Sequence, residues 1–180
     1  MAFNITEFRS QLAQDGYRPN LFSVTMNFPA VAASATGSQK LTFMCNAASL
    51  PGSFMGVAPA FYFGRQAKFA GNRVFNDWQI TVYMDEDFSI RDSFERWSNV
   101  LNSHVGNIRA QGALAPSSYV TDAVVQAYGK TGNIVKTYKL TSIFPTNIGE
   151  VGLDWANMNT IGEFTVELAT NYWTASTTDS

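Results

Sequence analysis

Three groups of side chains in this chain of 180 residues could do chemistry. Asp85, Glu86 and Asp87 form an acidic run, His104 is the only histidine, and Cys45 is the only thiol. Three carboxylates in a row could hold a divalent cation, but the calcium-loop spacing, with its central glycine and distal glutamate, is missing. The run precedes a helical segment, where negative charge suits the positive end of the helix dipole, so capping is its expected role. His104 falls at the far end of that segment, where a cation suits the dipole. No Ser–His–Asp or zinc-ligand arrangement assembles around it. Cys45 lies in the apolar run LTFMCNA, which predicts a small core residue rather than a nucleophile, and one cysteine excludes an internal disulfide. Neither a phosphate-binding G-x-x-x-x-G-K-S/T nor a dinucleotide G-x-G-x-x-G occurs. No catalytic, cofactor or metal residue is assigned, and an enzyme is not expected.

Composition points toward association instead. Only 14% of the residues are charged, against about 25% in an ordinary domain. The aromatic complement is large, with 14 Phe, 7 Tyr and 4 Trp. A compact monomer of this mass exposes roughly 8,600 Å². Either the core is unusually aromatic, or much of the surface is covered by other subunits, since interface cores are poor in charge and rich in aromatics and Met. A net charge of −2 and a pI near 5.3 argue against a protein that grips nucleic acid. No apolar run approaches the length of a membrane span. The opening MAFNITEFRS has neither a basic nor an apolar signal region, so no signal peptide is expected.

The elements are read from periodicity. Residues 1–16 place Phe3, Phe8 and Leu12 near helical spacing, a short helix or arm ended by Gly16. Phe22, Val24, Met26 and Phe28 alternate as a half-buried strand. Residues 29–39 are small and polar and predict a long hairpin tip. Leu41, Phe43, Cys45 and Ala47 predict the return strand over 40–50. A strand over 74–84 points Trp78, Ile80, Val82 and Met84 one way and Asp77, Gln79, Thr81 and Tyr83 the other. Ile90, Phe94, Trp97 and Leu101 form the apolar stripe of a helix over 88–104, with Ser89 and Asp92 as a capping pair. Residues 105–118 read as loop. Strands over 119–128 and 133–144 are joined by the tight turn GKTG. The last strand spans 160–173, and the polar tail 174–180 is expected to be disordered unless a partner pins it. Together these predict one domain over 1–180, mainly β, an antiparallel β-sandwich or small barrel with one flanking helix. Trp78, Phe94, Trp97 and Trp155 are its expected core anchors.

Two stretches stand out. Residues 51–64, PGSFMGVAPAFYFG, hold three Gly and two Pro, so they are not expected mid-sheet. An apolar loop of this length is uncommon. It either folds back over its own core or buries itself in a neighbour. The other stretch is FPTNIGEVGLDW, residues 144–155. It reads as a structural corner, or as a corner that also touches an adjacent subunit. In it Pro145 stops a strand, Asn147 and Gly149 permit tight turns, and Trp155 packs as an anchor.

Five pieces in order then carry a resemblance: RPNLFSV (18–24), TFMCNAASLPG (42–52), AGNRVFNDWQITVYMDED (70–87), FERWSNVLN (94–102) and FPTNIGEVGLDW. From about residue 17 to 173 the chain resembles the tail tube protein of T-even-type contractile bacteriophages. It departs at the tip 29–39, the loop 105–118 and the tail after Trp173. The resemblance implies a structural virion protein assembled in the host cytoplasm, with no cofactor. Six copies would form a ring, and rings would stack into a tube that conducts DNA without binding it specifically. Sheath, baseplate and tail-terminator proteins are the implied partners. The type VI secretion tube subunit shares this architecture. The inner tube of a phage-derived injection or secretion system is the alternative reading, with a monomeric β-barrel binding module behind it. Within the tube reading, Leu50, Phe54, Met55, Phe61 and Phe63 are candidates for the inter-ring contact. Gln79, Thr81, Glu163 and Glu167 are candidates for the lumen, where cations would brake DNA.

Overall fold

Alternating apolar residues become sheet along most of the chain, and a computed structural model describes residues 4–12, 16–32 and 37–178. In chain order the strands are β1 (Phe22–Met26), β2 (Cys45–Ala48), β3 (Ser53–Tyr62), β4 (Arg65–Phe75), β5 (Trp78–Tyr83), β6 (Thr121–Tyr128), β7 (Ile134–Ile148), β8 (Glu163–Ala169) and β9 (Tyr172–Ala175). The helices are α1 (Ile5–Gln11), α2 (Gly37–Met44), α3 (Ser89–Leu101) and α4 (Pro116–Tyr119). The fold is thus mainly antiparallel β with several helices, not one.

Seven strands form one sheet in the order β1-β6-β7-β8-β5-β2, with β9 also on β7. The long strand β7 serves two halves. Its first part pairs with β6 and β9, and from Phe144 onward it pairs with β8. The change of partner falls at Ser142, whose φ of 58° is left-handed and whose amide donates to Asp122 Oδ1 at 2.9 Å. An irregular residue at such a point lets one strand turn from one half-sheet into another. The turn between half-sheets thus lies upstream of Pro145, outside the stretch 144–155 that was expected to form the corner. That proline does not stop the strand: β7 runs through it, and a register shift between Pro145 and Asn147 absorbs it. Strands β1 and β2 each pair on one side only, so no closed barrel forms within the chain.

Both half-sheets face one core. Val24 and Met26 of β1, Val125 of β6 and Leu140 of β7 meet Ile80 and Val82 of β5 and the Phe164, Val166 and Leu168 face of β8. Helix α3 closes it with Ile90, Phe94 and Trp97. Phe94 stacks on Trp97 at 6.3 Å and meets Phe28 edge-on at 4.9 Å. Trp97 Nε1 donates to the Tyr119 carbonyl at 2.7 Å, and Trp78 Nε1 to the Ser49 carbonyl at 2.8 Å. Both indoles thereby bury their rings without stranding a donor.

Several expectations change. Of the return strand expected over 40–50, residues 40–44 belong to helix α2 and only Cys45–Ala48 form strand β2; Leu41 is buried and Phe43 is 85% exposed. Gly37, Leu41 and Met44 share a helical face instead, an ambiguity inherent in short apolar runs. The expected tip 29–39 includes residues 33–36, outside the described residues, as are Phe3 and residues 13–15. The strand over 74–84 is broken at Asn76 and Asp77 into β4 and β5, and the last strand is split into β8 and β9. Thr174 and Ala175 belong to β9, and Ser176 N donates to the Thr137 carbonyl at 3.0 Å, so the tail is tied down at least to there. The Ser89–Asp92 cap does not form. Phe88 occupies the cap position, and Asp87 Oδ1 accepts from Ser89 N at 3.0 Å. Cys45 is half-buried, and burial pushes its thiol pKa up to about 12, which leaves it protonated and a poor nucleophile.

Candidate assembly surfaces

The apolar stretch 51–64 is not a loop. It is the first strand of a two-stranded ribbon, β3–β4, that pairs with itself from Ser53↔Phe75 to Tyr62↔Arg65. In an isolated ribbon, alternate N–H groups on each strand point outward, so Pro59, opposite Lys68, need not remove a ladder bond. Gly56 and Gly71 let the strands cross closely near a register shift. A Cβ on Gly71 would stand 2.9 Å from the Gly56 carbonyl group. The tip is a two-residue turn with positive φ at both positions, 45° at Phe63 and 78° at Gly64, which suits the twist of a hairpin. A phenylalanine there is unusual, since this region favours Gly, Asn and Asp.

The ribbon's base is clamped and its length is bare. The Gly52 carbonyl accepts from Asn76 N at 3.3 Å and from Trp173 Nε1 at 3.0 Å. Trp173 also meets Phe75 and Tyr138 edge-on. Beyond that clamp almost every residue of both strands is exposed. All five expected contact residues lie on or beside the ribbon, and all are exposed: Leu50, Phe54, Met55, Phe61 and Phe63, the last by 90%. The ribbon also carries Arg65, Lys68 and Arg73 and no acidic residue. These cations make no ion pair among the described residues. That one-sided charge was readable in the sequence and was missed there.

A second surface is the polar face of β5 and β8. Their register sets Gln79 opposite Glu167, Thr81 opposite Thr165 and Tyr83 opposite Glu163. All four lumen candidates thus share one face, with the core on the other. Asn46 Nδ2 donates to Glu163 Oε2 at 2.9 Å and Asn147 Nδ2 to Glu167 Oε2 at 3.5 Å. Strands β2, β5 and β8 contain no Lys or Arg.

The third surface lies under residues 151–162. An open cleft of about 1050 Å³ is walled by this segment and by the end of β5. Trp155 is 101% exposed, and Leu153, Met158 and Ile161 are exposed as well. Trp155 is therefore not a core anchor. The corner's backbone makes the local bonds that hydrophobic packing was expected to supply. Gly149 N donates to the Thr165 carbonyl at 2.7 Å, and Ala156 N to Asp154 Oδ1 at 2.9 Å. Gly149 is required because a Cβ would come within 2.8 Å of that Thr165 oxygen. The cleft's carboxylates are Asp85, Glu86, Asp154 and Glu163, and no cation lines it. Lys40 pairs with Asp85 at 2.7 Å and also with Asp87, so the acidic run is engaged in an ion-pair network. No group that could hold a metal is present among the described residues.

The chain exposes 12498 Å², against roughly 8,600 Å² for a compact monomer of its mass. An exposed aromatic ribbon, a one-sided polar sheet face and open sheet edges define a subunit built to join others. The sequence comparison agrees, and it is specific: residues 17–176 match the family described as phage tail tube protein, and the chain belongs to that family. It is a structural component of the virion's tail tube, not an enzyme. It is 34% identical over 160 residues to tail tube protein gp19 of Enterobacteria phage T4, covering 88% of this chain and 91% of that one. Among solved structures, a chain of the anti-feeding prophage cap aligns with a TM-score of 0.63 at 14% identity, covering 98% of this chain and 99% of the other. A chain of the sheath–tube complex of an extracellular contractile injection system aligns at 0.56 and 13% identity, covering 97% and 99%. At such identities these two alignments speak for the fold.

Proposed function

We propose that this single-domain chain closes into six-membered rings that stack into the inner tube of a contractile phage tail, a conduit for DNA on its way into the host. The carrying observation is the surplus of exposed surface, concentrated on an apolar ribbon that the chain itself leaves uncovered. Family membership sets the context. The two half-sheets act as a β-sandwich in the subunit. Their edges, β1 and β2, would leave unpaired backbone groups in an isolated copy. Pairing them around a ring closes the sheet on itself, in a head-to-tail contact that ends where it began.

In this arrangement the β5–β8 face lines the bore. Gln79, Thr81, Glu163 and Glu167 present carboxylates and neutral polar groups to the passing phosphates, which repel or slide rather than bind. Leu50, Phe54, Met55, Phe61 and Phe63 make the contact between rings. A sheath surrounds the tube, and baseplate and terminator proteins end it. The fold-level neighbours come from a sheath–tube complex and a terminating cap, which suits such a setting. Sedimentation velocity with negative-stain microscopy tests the reading. Rings or tubes are expected, and a chain that stays monomeric at high concentration overturns it. A cryo-EM reconstruction with Gln79, Thr81, Glu163 and Glu167 on the outer wall would remove the lumen assignment.

A further inference from the structure

We infer that the β3–β4 ribbon of one copy seats in the acidic cleft under residues 151–162 of a copy in the next ring. The inference rests on the stacking reading above and adds the receiving surface to it. Three observations carry it.

The first is placement. The ribbon is joined to β5 at Trp78 through Asn76 and Asp77, whereas the cleft begins at Tyr83, the other end of the same strand. The neighbouring strand agrees: Leu168 of β8 lies opposite Trp78, and Glu163 opposite Tyr83. Ribbon base and cleft are thus separated by the length of β5, six residues, or about 20 Å. Patches at opposite ends of one sheet let each copy offer one to the copy ahead and receive the other from the copy behind. Joined head to tail they propagate, as stacking along a tube requires.

The second is charge. The ribbon carries Arg65, Lys68 and Arg73 with no acid. The cleft carries Asp85, Glu86, Asp154 and Glu163 with no cation. Asp85 is paired with Lys40, whereas Asp154 and Glu163 each accept from one neutral donor, Ala156 N and Asn46 Nδ2, so Glu86 and Asp154, both next to the exposed apolar rim, are the carboxylates chosen to meet an incoming cation. Opposed potentials set partner and register more than raw affinity.

The third is apolar surface on both sides. Phe61, Phe63 and Phe69 of the ribbon and Leu153, Trp155 and Ile161 of the cleft are all exposed. The left-handed Phe63 holds an aromatic at the leading tip in a backbone conformation that side-chain-bearing residues seldom adopt. A neighbour that receives the ring gives that placement a use. An aromatic anchor ringed by charge is the usual build of an interface centre.

Charge exchange tests the pairing. Arg65→Glu with Lys68→Glu on the ribbon, or Glu86→Lys with Asp154→Lys in the cleft, should each leave folded rings by circular dichroism and microscopy. Each should raise the concentration needed for tubes by about tenfold or more. Combining the four exchanges should restore tubes toward the wild-type threshold. Three outcomes overturn the inference. Cleft variants that polymerise at the wild-type threshold show that the ribbon docks elsewhere. Cleft variants that are folded by circular dichroism but form no rings show that the cleft belongs to the contact within a ring. A quadruple variant no better than either double shows that the two sets do not meet. Wild-type protein that makes rings but never tubes fails the stacking reading itself, a result distinct from all three.

Discussion

Trp97 and Trp155 are the same side chain in opposite circumstances. Trp97 is fully buried on α3, its indole N–H held by Tyr119. Trp155 stands entirely in solvent on the segment beside the cleft. The same division separates β5, which buries every second residue, from β3, which buries none. Both regions are aromatic, yet one stabilises the subunit and the other is surplus to it. In the proposed assembly the aromatic content of this chain serves two interiors, one inside a copy and one between copies. That distinction explains how a low-charge chain can expose so much more surface than its mass warrants.

The comparison can be broken most directly at the core. Trp97→Ala should destabilise the subunit by about 3–5 kcal/mol, through cavity formation and an unpartnered Tyr119 carbonyl. Thermal denaturation of the unassembled subunit measures it, and an unchanged midpoint would dissolve the contrast. The ribbon tip should respond more weakly and in the opposite sense. Phe63→Asn should relieve about 1 kcal/mol of backbone strain and slow hydrogen exchange of the β3–β4 amides several-fold, while tube yield falls. Faster exchange would show that the edge-on contact between the Tyr62 and Phe63 rings, 4.6 Å apart, outweighs the strain.

Smaller again is the Lys40–Asp87 pair, at the rim of the core. The Lys40 ammonium, helped by the Ser89 amide, lowers the Asp87 carboxyl from 3.8 to about 2. A depressed carboxyl stabilises the fold above its unfolded pKa and loses that contribution as pH falls through the folded one. Asp87→Asn should therefore flatten the acid side of the melting curve between pH 3.8 and about 2. Parallel curves for wild type and variant would show the pair to be inert. The smallest effect on the subunit is expected of Trp155→Ala, within about 0.5 kcal/mol as for other exposed sites, with tube formation impaired all the same. A large loss of stability there would mean that Trp155 belongs to the subunit after all.

Much of this was legible from local pattern. Period two placed β1, β8 and the inner face of β5, and the stripe Ile90, Phe94, Trp97 marked α3, because each pattern needs only neighbours along the chain. The turn GKTG was readable too: Gly129 N donates to the Asn133 carbonyl at 2.8 Å, and Gly132 has φ 80°. Helix α2 was hidden because Leu41, Phe43 and Cys45 fit a strand as well as a helix. Pro145 was misread because a register shift can carry a proline through a strand, and nothing local announces the shift. The candidate surfaces divide in the same way. Alternation alone put Gln79 and Thr81 on one face and Glu163 and Glu167 on one face. That the two faces are a single face follows from the β5–β8 register.

What the sequence determined by itself was the β-rich class, the main helix and the inside–outside alternation of its strands. These depend on spacing and on the chemistry of single residues. Tertiary structure alone decided that residues 51–64 extend as a ribbon, that Trp155 faces water, and that the cationic ribbon and the acidic cleft lie at opposite ends of β5. Hydrophobicity states that a side chain favours burial, but not against which surface. That choice is made only when strands from distant parts of the chain pair and use up the sheet's inner face, leaving the remaining aromatics outside.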